Sequence, residues 1–152
     1  MKLNNKYIYQ ENFSKLDKAV FDSKKRITKS KKIFSIINDY LRNDKNNLNK
    51  MICLDIGGSA GFTAKLMSPH INKYYVIDID KKALNYGRRN NNATNIIYKY
   101  GDAMNLPFRN QSVDIAICNQ VYEHVPSHTL LVSEIYRVFL FLKRENKYKI
   151  KS

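Results

Sequence analysis

The chain has 152 residues, 43% of them hydrophobic and 26% charged, which is enough for one domain with its own core and excludes a predominantly disordered or fibrous chain. Its 27 basic and 13 acidic residues give a net charge of +14, which brings nucleic acid or another anionic partner into consideration. No window approaches the roughly 18 apolar residues of a membrane span, two cysteines are too few for a disulfide framework, and no Cys/His cluster has zinc spacing, so no metal is expected.

In chain order, residues 1–29 are polar with scattered aromatics at Tyr7, Tyr9, Phe13 and Phe21. The N-terminal run Met1-Lys2-Leu3-Asn4-Asn5-Lys6 has no apolar stretch behind its lysines, so a secretory signal is not expected and the cytoplasm is the expected location. Cys53 and Cys118 both fall in apolar strand patterns and are expected as buried thiols. Lys24, Lys25, Arg26, Lys29, Lys31 and Lys32 concentrate charge in segment 24–32. Such a patch suits a nucleic acid, but lysine and asparagine recur along the whole chain, as in Asn90-Asn91-Asn92, and a general compositional bias is the simpler reading.

Ile33, Phe34, Ile36, Ile37, Tyr40 and Leu41 recur at helical spacing and predict an amphipathic helix over 30–42, followed by a polar loop. From residue 50 the pattern alternates. A strand is expected at 51–56, a helix at 62–67 closed by Pro69, and a strand at 74–79. A helix over 81–89 would turn Ala83, Leu84 and Tyr86 to a sheet. Strands follow at 96–100 and 113–118, then a helix at 127–142 with Leu130, Leu131, Ile135, Val138 and Phe139 on one side. Short apolar strands alternating with helices predict an α/β fold with a parallel sheet covered on both faces. Residues 148–150 would add a short fifth strand.

The most informative stretch is Asp55-Ile56-Gly57-Gly58-Ser59-Ala60-Gly61, where a strand gives way through a glycine turn to a helix. A backbone bent this sharply passes close to a ligand, and at the carboxyl end of a parallel strand that ligand is commonly a nucleotide. The dinucleotide fingerprint wants glycine at its first, third and sixth positions. Here those are Gly57, Ser59 and Phe62, so that reading fails. The next strand ends Val76-Ile77-Asp78-Ile79-Asp80. A carboxylate at that tip can accept from both hydroxyls of a ribose. Asp78 is the candidate, and Asp80 is the rival, better suited to capping the helix that begins at Lys81. The third strand is followed by Gly101-Asp102-Ala103-Met104-Asn105-Leu106-Pro107-Phe108, and the fourth by Asn119-Gln120-Val121-Tyr122-Glu123-His124-Val125.

Together these motifs resemble the class I S-adenosylmethionine-dependent methyltransferases over about residues 50–138, most closely a small-molecule, quinone-biosynthesis-like branch. In that family the glycine motif usually reads Asp-x-Gly-x-Gly-x-Gly, so Ser59 replaces the middle glycine. The resemblance implies a Rossmann-like doubly wound sheet and S-adenosyl-L-methionine as cofactor. It implies cofactor contacts from Asp55, Gly57, Gly58, Ser59 and Gly61, from Asp78 with Ile79 at the ribose, from Asp102 and Ala103 at the adenine, and from Asn119 and Gln120 beside the methionine. The acceptor would be a small organic molecule. His124 is the candidate general base if the acceptor is a hydroxyl, with Glu123 behind it.

Amino-directed nucleic-acid methyltransferases carry two prolines after the fourth strand, which Asn119-Gln120-Val121-Tyr122 lacks. A nucleic-acid acceptor is therefore not expected from the motifs. The family's later Lys-Pro-Gly-Gly turn is also missing after Glu134, Arg137 and Val138. That departure predicts a sheet of about four strands, a domain cut short at its C-terminus by truncation or frameshift, and Ile115 and Ile117 poorly covered at an open edge. The expected organisation is a helical lid segment at 1–49 and the cofactor-binding domain at 50–152. A remnant that binds cofactor without turnover and a basic RNA-directed methyltransferase are the alternative readings.

Overall fold

The computed structural model describes residues 23–41 and 48–139. The apolar runs form four parallel strands, β1 (Ile52–Ile56), β2 (Lys73–Asp78), β3 (Ile96–Tyr100) and β4 (Ile115–Cys118), in the order β3-β2-β1-β4. β1 is central, with Cys53 in register with Tyr74 on one side and Ile115 on the other. The chain moves outward from β1 to β2 and β3, then crosses back to place β4 beside β1. Strand order therefore reverses at the carboxyl end of β1, and the crevice opened there is where such sheets bind ligands.

Side chains alternate between two cores. Cys53, Tyr74, Val76, Ile115 and Ile117 face α1 (Ser23–Tyr40), α2 (Phe62–Met67) and α3 (Lys81–Asn90), joined by Ala64, Met67 and Leu84. Leu54, Ile56 and Ile77 face α4 (His128–Val138), joined by Leu131, Val138, Met104 and Leu106. β4 lies at an edge of the sheet, as expected, but Ile115 and Ile117 are only 8% and 7% exposed, so the poor cover expected for them is not found. Of the two thiols expected to be buried, Cys53 is, but Cys118 lies exposed at the tip of β4.

Several boundaries differ from the sequence reading for physical reasons. α1 begins at Ser23 rather than near residue 30, so the basic segment is helical. Its early turns lack an apolar stripe and are held instead by Ser30, whose Oγ lies 3.0 Å from Thr63 Oγ1 of α2. In α3 the sheet-facing residues are Ala83, Leu84 and Gly87, while Tyr86 points to solvent. The Tyr98 ring occupies the space beside Gly87, where a β-carbon would come 2.8 Å from its Cζ.

α4 ends at Val138, and Phe139 is already extended and bridged in parallel to Val113. The amide of Gln111 donates to the Arg137 carbonyl, and those of Ser112 and Val113 to the Val138 carbonyl, so a loop distant in sequence closes the helix. Leu130 is off the buried face, which is Leu131, Ile135 and Val138. Residues 140–142 and 148–150 lie outside the described residues.

Arg137 staples α4 to the loop after β3. It donates to the carbonyls of Leu106 and Phe108 at 2.8 and 2.7 Å and pairs with Glu134. Glu134 in turn accepts from the Leu106 amide at 2.7 Å. Only a guanidinium offers enough donors in one plane for this set. Arg137→Met is expected to cost about 2 kcal/mol, from the loss of charge-assisted bonds to backbone, read as a lower urea midpoint; an unchanged midpoint would contradict the assignment.

Candidate functional site

The crevice at the carboxyl end of the sheet is assembled from three loops. The first is the glycine turn after β1. The amides of Gly57 and Gly58 both donate to the Ile77 carbonyl, at 2.8 and 3.1 Å, which folds the turn over the tip of β2. Gly57, Ser59 and Gly61 are all left-handed, with φ of 69°, 52° and 74°. At Gly57 any β-carbon would also collide with Val121 Cγ2. Ser59 holds this conformation although it is not a glycine, because its amide donates to Asp78 Oδ2 at 2.8 Å.

Asp78 closes β2. Its other oxygen accepts from the Asp80 amide at 2.8 Å. A carboxylate has about four acceptor positions, so two remain after these bonds. Burial pushes its pKa up, against the amides of Asp80 and Ser59, which favour the charged form. Asp80 caps α3, accepting from the amides of Lys82 and Ala83 at 2.9 and 3.1 Å.

The second loop follows β3, where Asp102 Oδ1 accepts from the Met104 amide at 2.8 Å. The third follows β4. Gln120 is left-handed there, with φ 58°, and a short 3₁₀ turn, Tyr122–His124, leads toward α4.

These loops enclose a cleft of about 230 Å³. It is lined by Gly57 and Ser59, by Asp78 and Ile79, by Asp102 and Ala103, and by Asn119, Gln120 and His124. An adjoining hollow of about 340 Å³ shares Arg26, Gly57, Asn119 and Gln120 with the cleft and adds Asp55 and Gly58. Asp55 and Gly58 thus lie beside the cleft, and Gly61 lines neither space. It packs against Tyr98, whose hydroxyl donates to the Ala60 carbonyl at 3.3 Å. Glu123 is exposed and is not part of the cleft wall. Among the described residues no group of His, Cys, Asp or Glu could hold a metal.

Beneath the turn, Asp55 is 5% exposed and accepts from the Tyr74 hydroxyl at 3.1 Å. Burial raises its pKa to about 7; the Tyr74 bond opposes the rise and the Asp78 charge adds to it. Burial also pushes the Cys53 thiol and the Tyr74 phenol up.

The motifs did not point to Arg26, which lines both spaces, or to Lys25, Lys29 and Ser30, which line the hollow. Their signal was present as helical spacing from 25 to 30, but Ile27 alone among those residues is apolar, too little to mark a helix face.

Comparison with known proteins agrees with this geometry. Residues 54–140 match the family model described as a methyltransferase domain. The chain is 30% identical over 98 residues to the methyltransferase YcgJ of Bacillus subtilis, covering 62% of this chain and 38% of that one. It is 29% identical over 101 residues to the fatty-acid O-methyltransferase of Mycolicibacterium smegmatis, covering 62% and 36%. The crystal structure of YcgJ superposes with a TM-score of 0.56 at 29% identity, over 59% of this chain and 39% of that one. The S-adenosylmethionine-dependent methyltransferase of Mesorhizobium loti shares the fold, with a TM-score of 0.55 at 20% identity over 59% and 42%. The chain therefore belongs to the methyltransferase-domain family, whose expected cofactor is S-adenosylmethionine. It spans a little over a third of the length of the curated relatives it matches.

The raised pKa of Asp55 has a sign that can be tested. A proton held to higher pH in the native state gives stability that is complete below the ordinary carboxylate range and lost as pH rises through about 7. Asp55→Asn keeps an acceptor for Tyr74 and removes the titration. The wild type is expected to lose stability relative to this variant between about pH 5 and about pH 8 in urea unfolding; parallel curves across that range would contradict a buried, late-titrating carboxyl.

Proposed function

We propose that the chain binds S-adenosylmethionine in the cleft and acts in methyl transfer to a small organic acceptor. The observation that carries this reading is the convergence of Asp78, Asp102 and the glycine turn on one cleft at the point where strand order reverses.

The donor set suits an adenosyl group. Asp78 has acceptor positions left for two ribose hydroxyls, and Asp102 with the Ala103 amide can meet the donor and acceptor on an adenine edge. Ile79, Ala103, Met104 and Val125 supply apolar walls for a flat ring. Gly57, Asn119 and Gln120 border the passage to the hollow, where the methionine portion would lie.

The cofactor supplies a methyl group already activated as a sulfonium, so the protein's work is positioning and exclusion of water. α1 lines the hollow, which supports reading the N-terminal segment as a lid. His124 lies on the cleft wall, where a hydroxyl acceptor could deliver its proton. One relative is named for methylating the oxygen of a fatty acid, a small organic acceptor of this kind. The quinone-biosynthesis-like branch rests on the sequence motifs. Among the described residues no helix is long and apolar enough to cross a membrane.

S-adenosylhomocysteine at about 100 times its Kd should stabilise the protein by about 2.7 kcal/mol, seen as a higher thermal midpoint. A folded sample with no shift would overturn the cofactor assignment. Asp102→Asn keeps a side-chain oxygen for the Met104 amide while changing what the adenine meets. It is expected to weaken S-adenosylhomocysteine about tenfold with little change in the midpoint of the ligand-free protein; undiminished affinity would remove Asp102 from the site.

A further inference from the structure

Charge is not spread evenly over the molecule. No lysine falls between Lys99 and Lys143, and that stretch carries Asp102, Asp114, Glu123 and Glu134. A general compositional bias would have placed lysines there too. The cations gather instead on α1, α2 and α3, where Asp39 is the one acid of the three helices. These helices cover the same face of the sheet. α1 packs along α2. The Ala60 carbonyl at the head of α2 lies against Gly87 of α3, 2.7 Å from where a β-carbon would stand. The basic surface is therefore continuous across all three.

Lys25, Arg26 and Lys29 line the hollow and belong to the cofactor site. A second set of cations faces away from it. Lys31 and Lys32 of α1, Lys65 of α2, and Lys82 and Arg89 of α3 are exposed, and none pairs with a carboxylate among the described residues. On α3 the burial of Ala83, Leu84 and Gly87 sends Lys82, Asn85, Tyr86 and Arg89 along the opposite ridge, at i, i+3, i+4 and i+7. That ridge interleaves cations with an amide and an aromatic ring, and Tyr86 is 42% exposed. No large aliphatic side chain is exposed on α2 or α3.

Like charges held on one face repel, and a polyanion relieves that repulsion while releasing its own condensed counterions. The ridge favours one kind of polyanion. A lipid surface takes aliphatic side chains into its acyl boundary, and α2 and α3 offer none. A single-stranded nucleic acid brings a line of phosphates for the cations and flat bases to stack on an exposed tyrosine. We propose that the outer face of α1, α2 and α3 docks a single-stranded nucleic acid, held by Lys31, Lys32, Lys65, Lys82 and Arg89 and stacked on Tyr86. The strand lies outside the cleft and is not the methyl acceptor, so this proposal is independent of the cofactor reading.

The test titrates the whole chain into a fluorescein-labelled, unstructured RNA of about 12 nucleotides over a range of salt. Each phosphate contact on a single strand contributes about −0.7 to the slope of log affinity against log salt, so the five cations predict a slope of about −3.5. No binding at low salt, or a slope near zero, overturns the proposal. Lys82→Gln/Arg89→Gln is expected to make the slope shallower by about 1.4. Tyr86→Leu is expected to weaken binding about tenfold while leaving the slope as it was. Arg109 is exposed in the loop between β3 and β4, between two residues held by Arg137 of α4. Arg109→Gln is expected to keep the wild-type slope. An unchanged slope in the α3 double variant, wild-type affinity in Tyr86→Leu, or an equal loss in Arg109→Gln overturns the assignment to this face.

Competition identifies the partner. Vesicles of phosphatidylcholine and phosphatidylglycerol, and inorganic polyphosphate, are added at the same charge concentration as the RNA. Both are expected to compete about tenfold more weakly than unlabelled RNA. Equal competition by the vesicles assigns the face to a lipid surface, and equal competition by polyphosphate assigns it to charge alone; either overturns the nucleic-acid partner. Saturating S-adenosylhomocysteine is expected to leave RNA affinity unchanged, whereas displacement of the RNA places the strand in the cleft and overturns the docking face.

Discussion

The site depends on the carboxylate of Asp78. One oxygen holds the Ser59 amide and the other the Asp80 amide. A left-handed residue other than glycine costs about 1–2 kcal/mol, and a hydrogen bond to a charged acceptor contributes about 1.5–3 kcal/mol, so this single contact is of the right size to offset the strain at Ser59. Ile77, one residue earlier, holds the amides of Gly57 and Gly58. The tip of β2 therefore sets the path of the loop leaving β1, and it also sets the start of α3 through Asp80.

The other parts of the site are fixed by different devices. The loop carrying Asp102 is tied down at its far end by Arg137 and Glu134 of α4, through the carbonyls of Leu106 and Phe108 and the amide of Leu106. The roof over the hollow is set by a hydroxyl pair, Ser30 with Thr63, where a more apolar helix would have used methyl groups. Each device is a hydrogen bond between segments distant in sequence. The cleft is shaped before any ligand arrives, which lowers the ordering cost of binding.

Much of this was legible in the sequence. β1, α2 and β3 were marked by apolar runs, glycines and Pro69, and the strand ends placed Asp78 and Asp102 at one crevice. Asp80 read correctly as a cap because helix N-caps have a local chemical signature. What escaped was set by partners far along the chain. The end of α4 is decided by amides at 111–113, which no window around Val138 contains. The first turns of α1 lack the apolar period that marks a helix, since Ser30 does the packing. Tyr86 gave way to Gly87 because Tyr98 fills that space from β3. The cover over Ile115 and Ile117 comes from the core they share with Met67 and Ile71, which lie between β1 and β2, far from β4 in sequence. Asp55 stood in the right motif, but the pleat puts it with Cys53 on the α1 side, facing the hollow instead of the cleft.

The central claim is that the glycine turn, the tip of β2 and the loops after β3 and β4 form one adenosyl-binding cleft. The most direct measurement is an amide-resolved NMR titration of the chain with S-adenosylhomocysteine. The account predicts saturable shifts at Ser59, Ile79, Ala103 and Gln120, with Asn92 and Ala93 beyond α3 unmoved. Saturable shifts elsewhere in a folded protein, with those four amides still, would contradict it.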